Sequence, residues 1–377
     1  MSGQTTVGAG PGENERVGKH TTREVLKVEN LRVWFHTPAG MLRAVDGVDL
    51  SLRQGETLGL VGESGSGKSV MSRAIMKILP RNAELLEGSR ILLDGRDLAG
   101  VNPKKEKHLW GVDLAMVFQD PMTSLTPVIT VGHQLSETLR YHRKLDRKAA
   151  RSEAVDLLRR VGIPEPEKRY HYYPHNLSGG MRQRVTIALA ISCSPKLLIA
   201  DEPTTALDVT VQHQILNLLQ SLQESASMSM ILVTHDLGVV AGRADHIAVM
   251  YAGRVVERAP TRQLFRQMRH PYTRALIDAI PKVGMPSQTR LASIPGRPPV
   301  IIDPPPGCSF APRCPSAQDR CLKETPELEL ESDTDSAAHA AACFYPLGTA
   351  AGDAARQRNV EAGVSAAGTP VTSGTVI

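Results

Sequence analysis

The sequence lacks long apolar runs, a secretory signal and a large charge excess, and each absence narrows the possible function. No apolar run approaches the ~18 residues that a bilayer crossing requires, so no membrane-spanning helix is expected. The first 20 residues are polar and have no apolar core, which predicts a chain that stays in the cytosol unless it is tethered. The 44 basic and 39 acidic residues give a net charge of only +5, so no nucleic-acid partner is expected.

The 377 residues are too many for one ordinary domain and suggest two or three units. Residues 1–24 and 349–377 show no periodic apolar pattern and are predicted to be disordered. Residues 25–260 alternate strand-like and helix-like segments, with a helical region at about 120–180. Proline becomes dense after residue 260, which predicts a separate, loop-rich C-terminal domain over 261–348.

Three short apolar segments, "ETLGLV", "KLLIADE" and "SMILVTHD", are typical of buried strands. The second and third end in acidic residues or histidine. This pattern predicts a parallel sheet with its chemistry at the carboxyl edge of the strands.

The segment Gly62–Ser69, "GESGSGKS", fits the phosphate-binding pattern G-x-x-x-x-G-K-[ST] and lies between a predicted strand and a predicted helix. Its glycines allow backbone N–H groups to point at phosphate oxygens, and Lys68 is expected to reach the β- and γ-phosphates. The predicted phosphate-binding residues are Gly62, Ser64, Gly65, Ser66, Gly67, Lys68, Ser69 and Val70.

Polar residues at the ends of the next strands complete a hydrolysis site. Asp201 is expected to hold Mg²⁺ together with the Ser69 hydroxyl, and Glu202 is expected to orient or deprotonate the attacking water. His235 ends the following strand and is placed to contact the γ-phosphate, although a lone histidine at a strand end is more often structural.

The segment "LSGGMRQRVTIALAI" resembles the LSGGQ signature of the ATP-binding-cassette family, with Met181 in place of glutamine. Ser178, Gly179 and Gly180 begin a helix and form a second anion-binding end. The resemblance implies that these three residues close over ATP held by the phosphate loop of a partner cassette.

Further residues match the family's motifs. By resemblance, Gln119 in "MVFQDP" senses Mg²⁺ and links the core to the helical subdomain, and Asp208 in "TTALD" contacts the opposite cassette. Phe35 is identified as the aromatic that stacks on adenine, with neighbouring Trp34 as the alternative. The resemblance implies an α/β fold of the P-loop NTPase class, which combines a RecA-like parallel core with antiparallel β and helical subdomains.

The sequence also indicates which class of cassette protein this chain resembles. It has no sustained heptads, which disfavours DNA-repair cassettes, and its single phosphate loop disfavours translation factors. "FQDPMTSLTP" and "RHPYTRALIDAIP" resemble ATPases of oligopeptide and dipeptide importers, whose relatives also carry nickel. This implies a second cassette, favoured to be a paralogue, two multi-spanning permease subunits, an extracytoplasmic substrate-binding protein reached indirectly, and a place on the cytoplasmic face of the membrane. The alternative is a non-transport cassette in a soluble complex.

Four of the five cysteines, Cys308, Cys314, Cys321 and Cys343, lie in the C-terminal region. A reducing cytosol disfavours disulfides, so four thiols in a loop-rich segment suggest a metal site. Their spacing lacks the C-x2-C pairs usual for zinc and the run typical of ferredoxins, and so leaves iron–sulfur, zinc and free thiols open. The subfamily resemblance implies a [4Fe–4S] cluster, with zinc as the alternative. Cys193 is interpreted as a small buried hydrophobe.

Overall fold

The structure is a computed structural model that describes most of the chain. It describes residues 23–101, 106, 109–120, 124–205, 207–280, 294–299, 301–302, 304, 306–330 and 339–371. The disorder predicted for residues 1–24 falls outside this part except at positions 23 and 24, and Glu24 already begins the first strand.

An antiparallel sheet forms the N-terminal layer. Its long pair, β1 (Glu24–Thr37) and β2 (Gly40–Arg53), alternates buried and exposed side chains, as expected for a sheet with one face against the core. The short strands β4 (Ala83–Leu85), β5 (Arg90–Leu93) and β6 (Arg96–Asp97) extend it, in the order β2-β1-β5-β6 with β4 also on β1.

The central sheet has eight strands: β3 (Thr57–Val61), β7 (Leu114–Val117), β8 (Leu197–Asp201), β9 (Ser229–Thr234), β10 (His246–Tyr251), β11 (Arg254–Pro260), β12 (Glu329–Leu330) and β13 (Ala340–Ala341). Their order in the sheet is β12-β13-β11-β10-β3-β9-β8-β7. The run from β10 to β7 is parallel. Strands β3, β8 and β9 are buried at every position, which explains why their sequences are mostly apolar.

Helices cover the central sheet, and several begin at a side chain that accepts a hydrogen bond from the first turn. Asp146, Ser178 and Asp208 accept from the N–H groups of Ala149, Met181 and Val211. In the described part of the chain, none of the helices combines the length and apolar character of a bilayer crossing. The helices are Lys68–Ile75, Val131–Arg143, Arg147–Arg160, Pro166–Arg169, Gly179–Ile191, Val209–Ala226, Leu237–Val240, Thr261–Arg266, Pro271–Asp278, Asp319–Lys323 and Ala350–Ala362.

The helical region between β7 and β8 packs closely at Gly132. A Cβ atom at this position would overlap the ring of Tyr170, whose hydroxyl lies 2.8 Å from the Ser136 hydroxyl. Glycine therefore lets Tyr170 lie directly on the helix Val131–Arg143.

The C-terminal region shares the core of the cassette. Strands β13 and β12 continue the central sheet beyond β11, and Phe310, Cys314 and Cys321 belong to the same buried cluster as Tyr272. Glu257 on β11 is fully buried and pairs with fully buried His339, with Oε1 and Nε2 2.8 Å apart.

The disorder predicted for residues 349–377 is wrong at residues 350–362, which form a helix. Thr349 caps its first turn, and Gly363 ends it with a positive φ of 72°. The Asn359 amide donates to the carbonyls of Pro315 and Ala317, at 2.7 and 3.0 Å, and so anchors the helix to the C-terminal region. The segment lacks a periodic apolar pattern but is rich in alanine, which favours helix, and these contacts stabilise the helix.

Candidate functional site

A cleft of about 890 Å³ opens at the carboxyl edge of the central sheet. This volume lies in the range of small-molecule sites. Side chains from the antiparallel sheet, the phosphate loop and three loops that follow strands line it. They are Phe35, Leu42, Ala44, Glu63, Ser64, Gly65, Gly67, Lys68, Ser69, Val70, Gln119, Glu202, His235 and Pro298.

The phosphate loop joins β3 to the helix Lys68–Ile75 and directs that helix's N-terminus into the cleft. Gly67 has a φ of 104°, and a Cβ atom there would overlap the carbonyl oxygen of Ala44, so only glycine fits. The Lys68 ammonium donates to the carbonyls of Gly62 and Glu63 at 2.7 and 2.9 Å. Burial lowers the pKa of Lys68, and the nearby carboxylates of Glu202, Asp201 and Glu63 oppose that shift.

The predicted metal ligands meet across two elements. The Ser69 hydroxyl donates to a carboxylate oxygen of Asp201 at 3.0 Å, which brings the start of the first helix to the end of β8. Burial raises the pKa of Asp201, while the hydrogen bond from Ser69 lowers it. Hydroxyl and carboxylate oxygens are the donors that Mg²⁺ prefers, so the pair fits this ion.

Glu202 is surrounded by three polar side chains. The amide of Gln119 and the hydroxyl of Thr205 donate to its Oε2, at 3.0 and 2.9 Å. His235 Nδ1 lies 3.4 Å from its Oε1. Glu202 also has a φ of 44°, a left-handed conformation that costs energy for a residue with a Cβ. The structure thus brings together the three predicted catalytic side chains, Glu202, His235 and Gln119.

The two candidate aromatic residues differ in placement. Phe35 lines the cleft, whereas Trp34 lies under the guanidinium of Arg43, 4.7 Å from the ring centre, and does not line it. The position of Phe35 beside Leu42 supplies an apolar wall to the cleft.

Ser178, Gly179, Gly180 and Asp208 do not line this cleft. Ser178 and Asp208 are both helix caps, and a Cβ atom at Gly180 would lie 2.7 Å from Val211. This contact places the signature glycines against the helix that begins after Asp208.

The four C-terminal cysteines line one pocket of about 20 Å³, room for about one water molecule. All five cysteines of the chain lie in the described part and are free thiols. Burial raises the pKa of Cys343 to about 12. Within the residues that the structure describes, no group of three or more His, Cys, Asp or Glu side chains is arranged to hold a metal ion. The predicted iron–sulfur cluster and its zinc alternative therefore gain no support from this geometry.

Sequence reasoning missed several residues of the site. Thr205 contacts Glu202 from within the "DEPTTALD" segment, and Pro298 brings the C-terminal region to the cleft. Glu63 lines the cleft as a variable position of the phosphate-loop pattern and is held by Arg313 and Tyr272. The phosphate-loop pattern specifies its glycines and its lysine, and it carries no information about the partners of Glu63.

Two family models match the chain. The ABC transporter model covers residues 45–205, which include the phosphate loop and the signature. The model of the oligopeptide/dipeptide transporter C-terminal region covers residues 256–321, which include three of the four C-terminal cysteines.

The chain is 48% identical to the dipeptide transport ATP-binding protein DppD of Bacillus subtilis, over 82% of this chain and 92% of that protein. It is also 48% identical to DppD of Escherichia coli, over 86% and 97%. The oligopeptide transport ATP-binding protein OppD of Bacillus subtilis is 48% identical over 82% and 87%.

Solved cassettes share the fold. One was determined as a dimer in a post-hydrolysis state with ADP and Pi bound, and has a TM-score of 0.57 and 26% identity over 63% of this chain and 98% of that one. CbiO1 of Clostridium perfringens has a TM-score of 0.55 and 29% identity over 65% and 91%. Sequence, fold and site agree: the chain belongs to the ABC transporter family, as an ATP-hydrolysing ATP-binding subunit of the peptide-importer class.

Proposed function

We propose that this chain binds and hydrolyses MgATP to drive the uptake of dipeptides or oligopeptides through a membrane transporter. The observation that carries the proposal is the C-terminal match to the oligopeptide/dipeptide transporter model, joined in one core to a complete phosphate-loop cleft. Relatives at 48% identity are dipeptide and oligopeptide transport proteins.

The residues of the cleft divide the chemistry. Backbone N–H groups of the phosphate loop and the Lys68 ammonium bind the β- and γ-phosphates, and Phe35 stacks on adenine. Ser69, Asp201 and Gln119 would hold Mg²⁺, which when bound neutralises charge on the phosphate oxygens. Glu202 accepts the proton of the attacking water, and His235 and Gln119 orient that water. Their contacts with Glu202, all within 3.4 Å, support this assignment.

A second cassette, favoured to be a paralogue, completes the site. The signature segment of the partner cassette would cover the ATP bound by this chain. In return, this chain would contact the ATP of the partner through Ser178, Gly179, Gly180 and Asp208. Their position outside the chain's own cleft supports action across an interface. ATP then acts as a ligand that binds the closed pair more tightly than the open one, and this difference in affinity drives the conformational change.

The pair would act on two multi-spanning permease subunits from the cytoplasmic face of the membrane, with an extracytoplasmic substrate-binding protein delivering cargo. The test is uptake of a radiolabelled dipeptide by membrane vesicles that carry the chain with its two permeases and partner cassette. We expect ATP-dependent uptake that Lys68→Ala abolishes. Uptake of nickel instead of peptide would support the nickel alternative, and isolation as a soluble complex without membrane proteins would support the non-transport alternative.

We further propose that Cys308, Cys314, Cys321 and Cys343 hold a metal centre, a [4Fe–4S] cluster with zinc as the alternative. The support is the donor set, four free thiols around one pocket. The pocket has room for about one water molecule, which is smaller than a [4Fe–4S] cluster. Iron and zinc analysis of anaerobically purified protein distinguishes the two, and protein without either metal contradicts the proposal.

A further inference from the structure

The C-terminal region contacts the phosphate loop at Glu63, the residue that follows Gly62. The Arg313 guanidinium donates through both of its terminal nitrogens to the two oxygens of the Glu63 carboxylate, at 2.6 and 3.0 Å. Arg313 is only 4% exposed. A bidentate ion pair of this kind fixes the orientation of the carboxylate as well as compensating its charge.

All five N–H groups of Arg313 have acceptors. Besides the two bonds to Glu63, its Nε donates to the Pro295 carbonyl at 2.8 Å, and its terminal nitrogens donate to the Ile294 carbonyl and the Tyr251 hydroxyl at 3.3 and 3.4 Å. Because every donor is used, the guanidinium has one orientation. Glu63 therefore meets a rigid partner.

A second segment holds the backbone of the same residue. The N–H of Glu63 donates to the hydroxyl of Tyr272 at 2.7 Å. Tyr272 is fully buried, and its ring lies 4.6 Å from the ring of Tyr251 and 5.4 Å from that of Phe310. Glu63 is thus fixed at its carboxylate and at its backbone, by two residues that both lie in the matched C-terminal region.

The negative charge of Glu63 connects these contacts with the affinity for ATP. Glu63 lines the cleft proposed to bind ATP, and its carbonyl accepts from the Lys68 ammonium at 2.9 Å. An unpaired carboxylate here would repel phosphate oxygens or compete for Lys68. Arg313 neutralises this carboxylate and holds it on the side of the C-terminal region.

We propose that Arg313 and Tyr272 are positioning residues of the ATP site, which act through Glu63 to set the affinity of the phosphate loop for MgATP. The inference rests on the proposed binding of ATP and extends it, because it gives the C-terminal region a direct part in nucleotide affinity. Neither residue lines the cleft itself.

The test uses the assembled transporter and measures the KM for MgATP and kcat. Arg313→Met keeps the length of the side chain and removes its charge, and we expect KM to rise roughly tenfold with kcat changed less than about twofold. The double variant Arg313→Met with Glu63→Gln should recover most of the affinity, because no unpaired carboxylate remains. Tyr272→Phe should raise KM by a smaller factor.

Arg274→Met is the matched control, because Arg274 pairs within its own helix with Asp278 and does not line the cleft. It should leave KM unchanged. If Arg313→Met fails to fold, Arg313→Lys and Tyr272→Phe provide the same comparison. Wild-type protein that does not bind MgATP would contradict the proposed function. Normal wild-type binding with unchanged KM in the variants, or a loss that Glu63→Gln does not repair, would overturn this inference alone.

Discussion

The amide of Gln119 donates a hydrogen bond to the carboxylate of Glu202 at 3.0 Å, across 83 residues of sequence. The bond joins the loop after β7 to the end of β8, so the proposed water-orienting and proton-accepting groups form one unit with Thr205. Glu202→Gln keeps the size of the side chain and removes its basicity. We expect ATP hydrolysis to fall by about 10²- to 10⁴-fold while MgATP still binds and the paired cassettes stay closed.

The measurements for this prediction are steady-state ATPase activity and nucleotide-dependent association with the partner cassette. Glu224→Gln is the control, because Glu224 is exposed on the helix Val209–Ala226 and does not line the cleft. It should leave hydrolysis unchanged. Wild-type turnover in Glu202→Gln would remove Glu202 from its proposed role.

Ser69 provides a prediction on the metal. Its hydroxyl already bonds to Asp201 at 3.0 Å, so Ser69→Ala deletes one of the proposed oxygen ligands. We expect the Mg²⁺ concentration for half-maximal ATPase activity to rise roughly tenfold or more, whereas Ser69→Thr should retain the wild-type value. Ser72→Ala is the control on the same helix, since that hydroxyl donates to the Lys68 carbonyl. Equal Mg²⁺ dependence in Ser69→Ala and wild type would refute the assignment.

Gly132 provides a prediction on stability. Gly132→Ala adds a methyl group where the ring of Tyr170 lies, so ring or helix must shift. We expect the free energy of unfolding to fall by roughly 1–3 kcal/mol, as measured by urea denaturation. Gly100→Ala adds the same atom in open space and should change stability by less than about 0.5 kcal/mol. Equal effects of the two substitutions would show that the close packing at Gly132 is not required.

His270 provides a prediction on pH. Burial lowers its pKa to about 4, below the usual 6.5, and the carboxylate of Glu257 opposes this shift. Between these values the unfolded chain binds a proton that the folded chain does not, so stability falls as pH drops from about 6.5 towards about 4. By linkage this residue contributes a loss of about 2 kcal/mol on going from about pH 7.5 to about pH 5.

His270→Asn keeps an acceptor for the Tyr272 N–H at the start of the helix and does not titrate. Urea denaturation of both proteins at the two pH values should show the smaller loss in the variant. The same loss in both proteins would mean that His270 is not the group responsible.

The site elements that the sequence predicted are those encoded by short patterns. Gly62–Ser69 is a local motif whose spacing requires the strand, loop and helix found here. The meeting of Ser69 with Asp201 follows from the rule that parallel strands bring their carboxyl ends to one edge. Phe35 was identified by resemblance, and the structure places it in the cleft.

The residues that sequence reasoning missed depend on contacts between distant segments. Arg313 lies 250 residues from Glu63. Nothing in the sequence around either residue identifies Arg313, among the 44 basic residues of the chain, as the partner of Glu63. The helix at 350–362 was missed because composition alone does not reveal the anchoring contacts of Asn359. Long-range packing decided both cases.

Arg313 directly precedes Cys314, so a single peptide bond separates the residue that holds Glu63 from a thiol of the cysteine pocket. A change at that thiol which displaces Arg313 would alter how strongly the chain retains its nucleotide. If that change is the binding of a ligand in the sulfur-lined pocket, thermodynamic reciprocity requires the nucleotide to alter the affinity of the pocket for that ligand by an equal factor. The affinity of the chain for its nucleotide and the chemical state of the cysteines would then be thermodynamically linked.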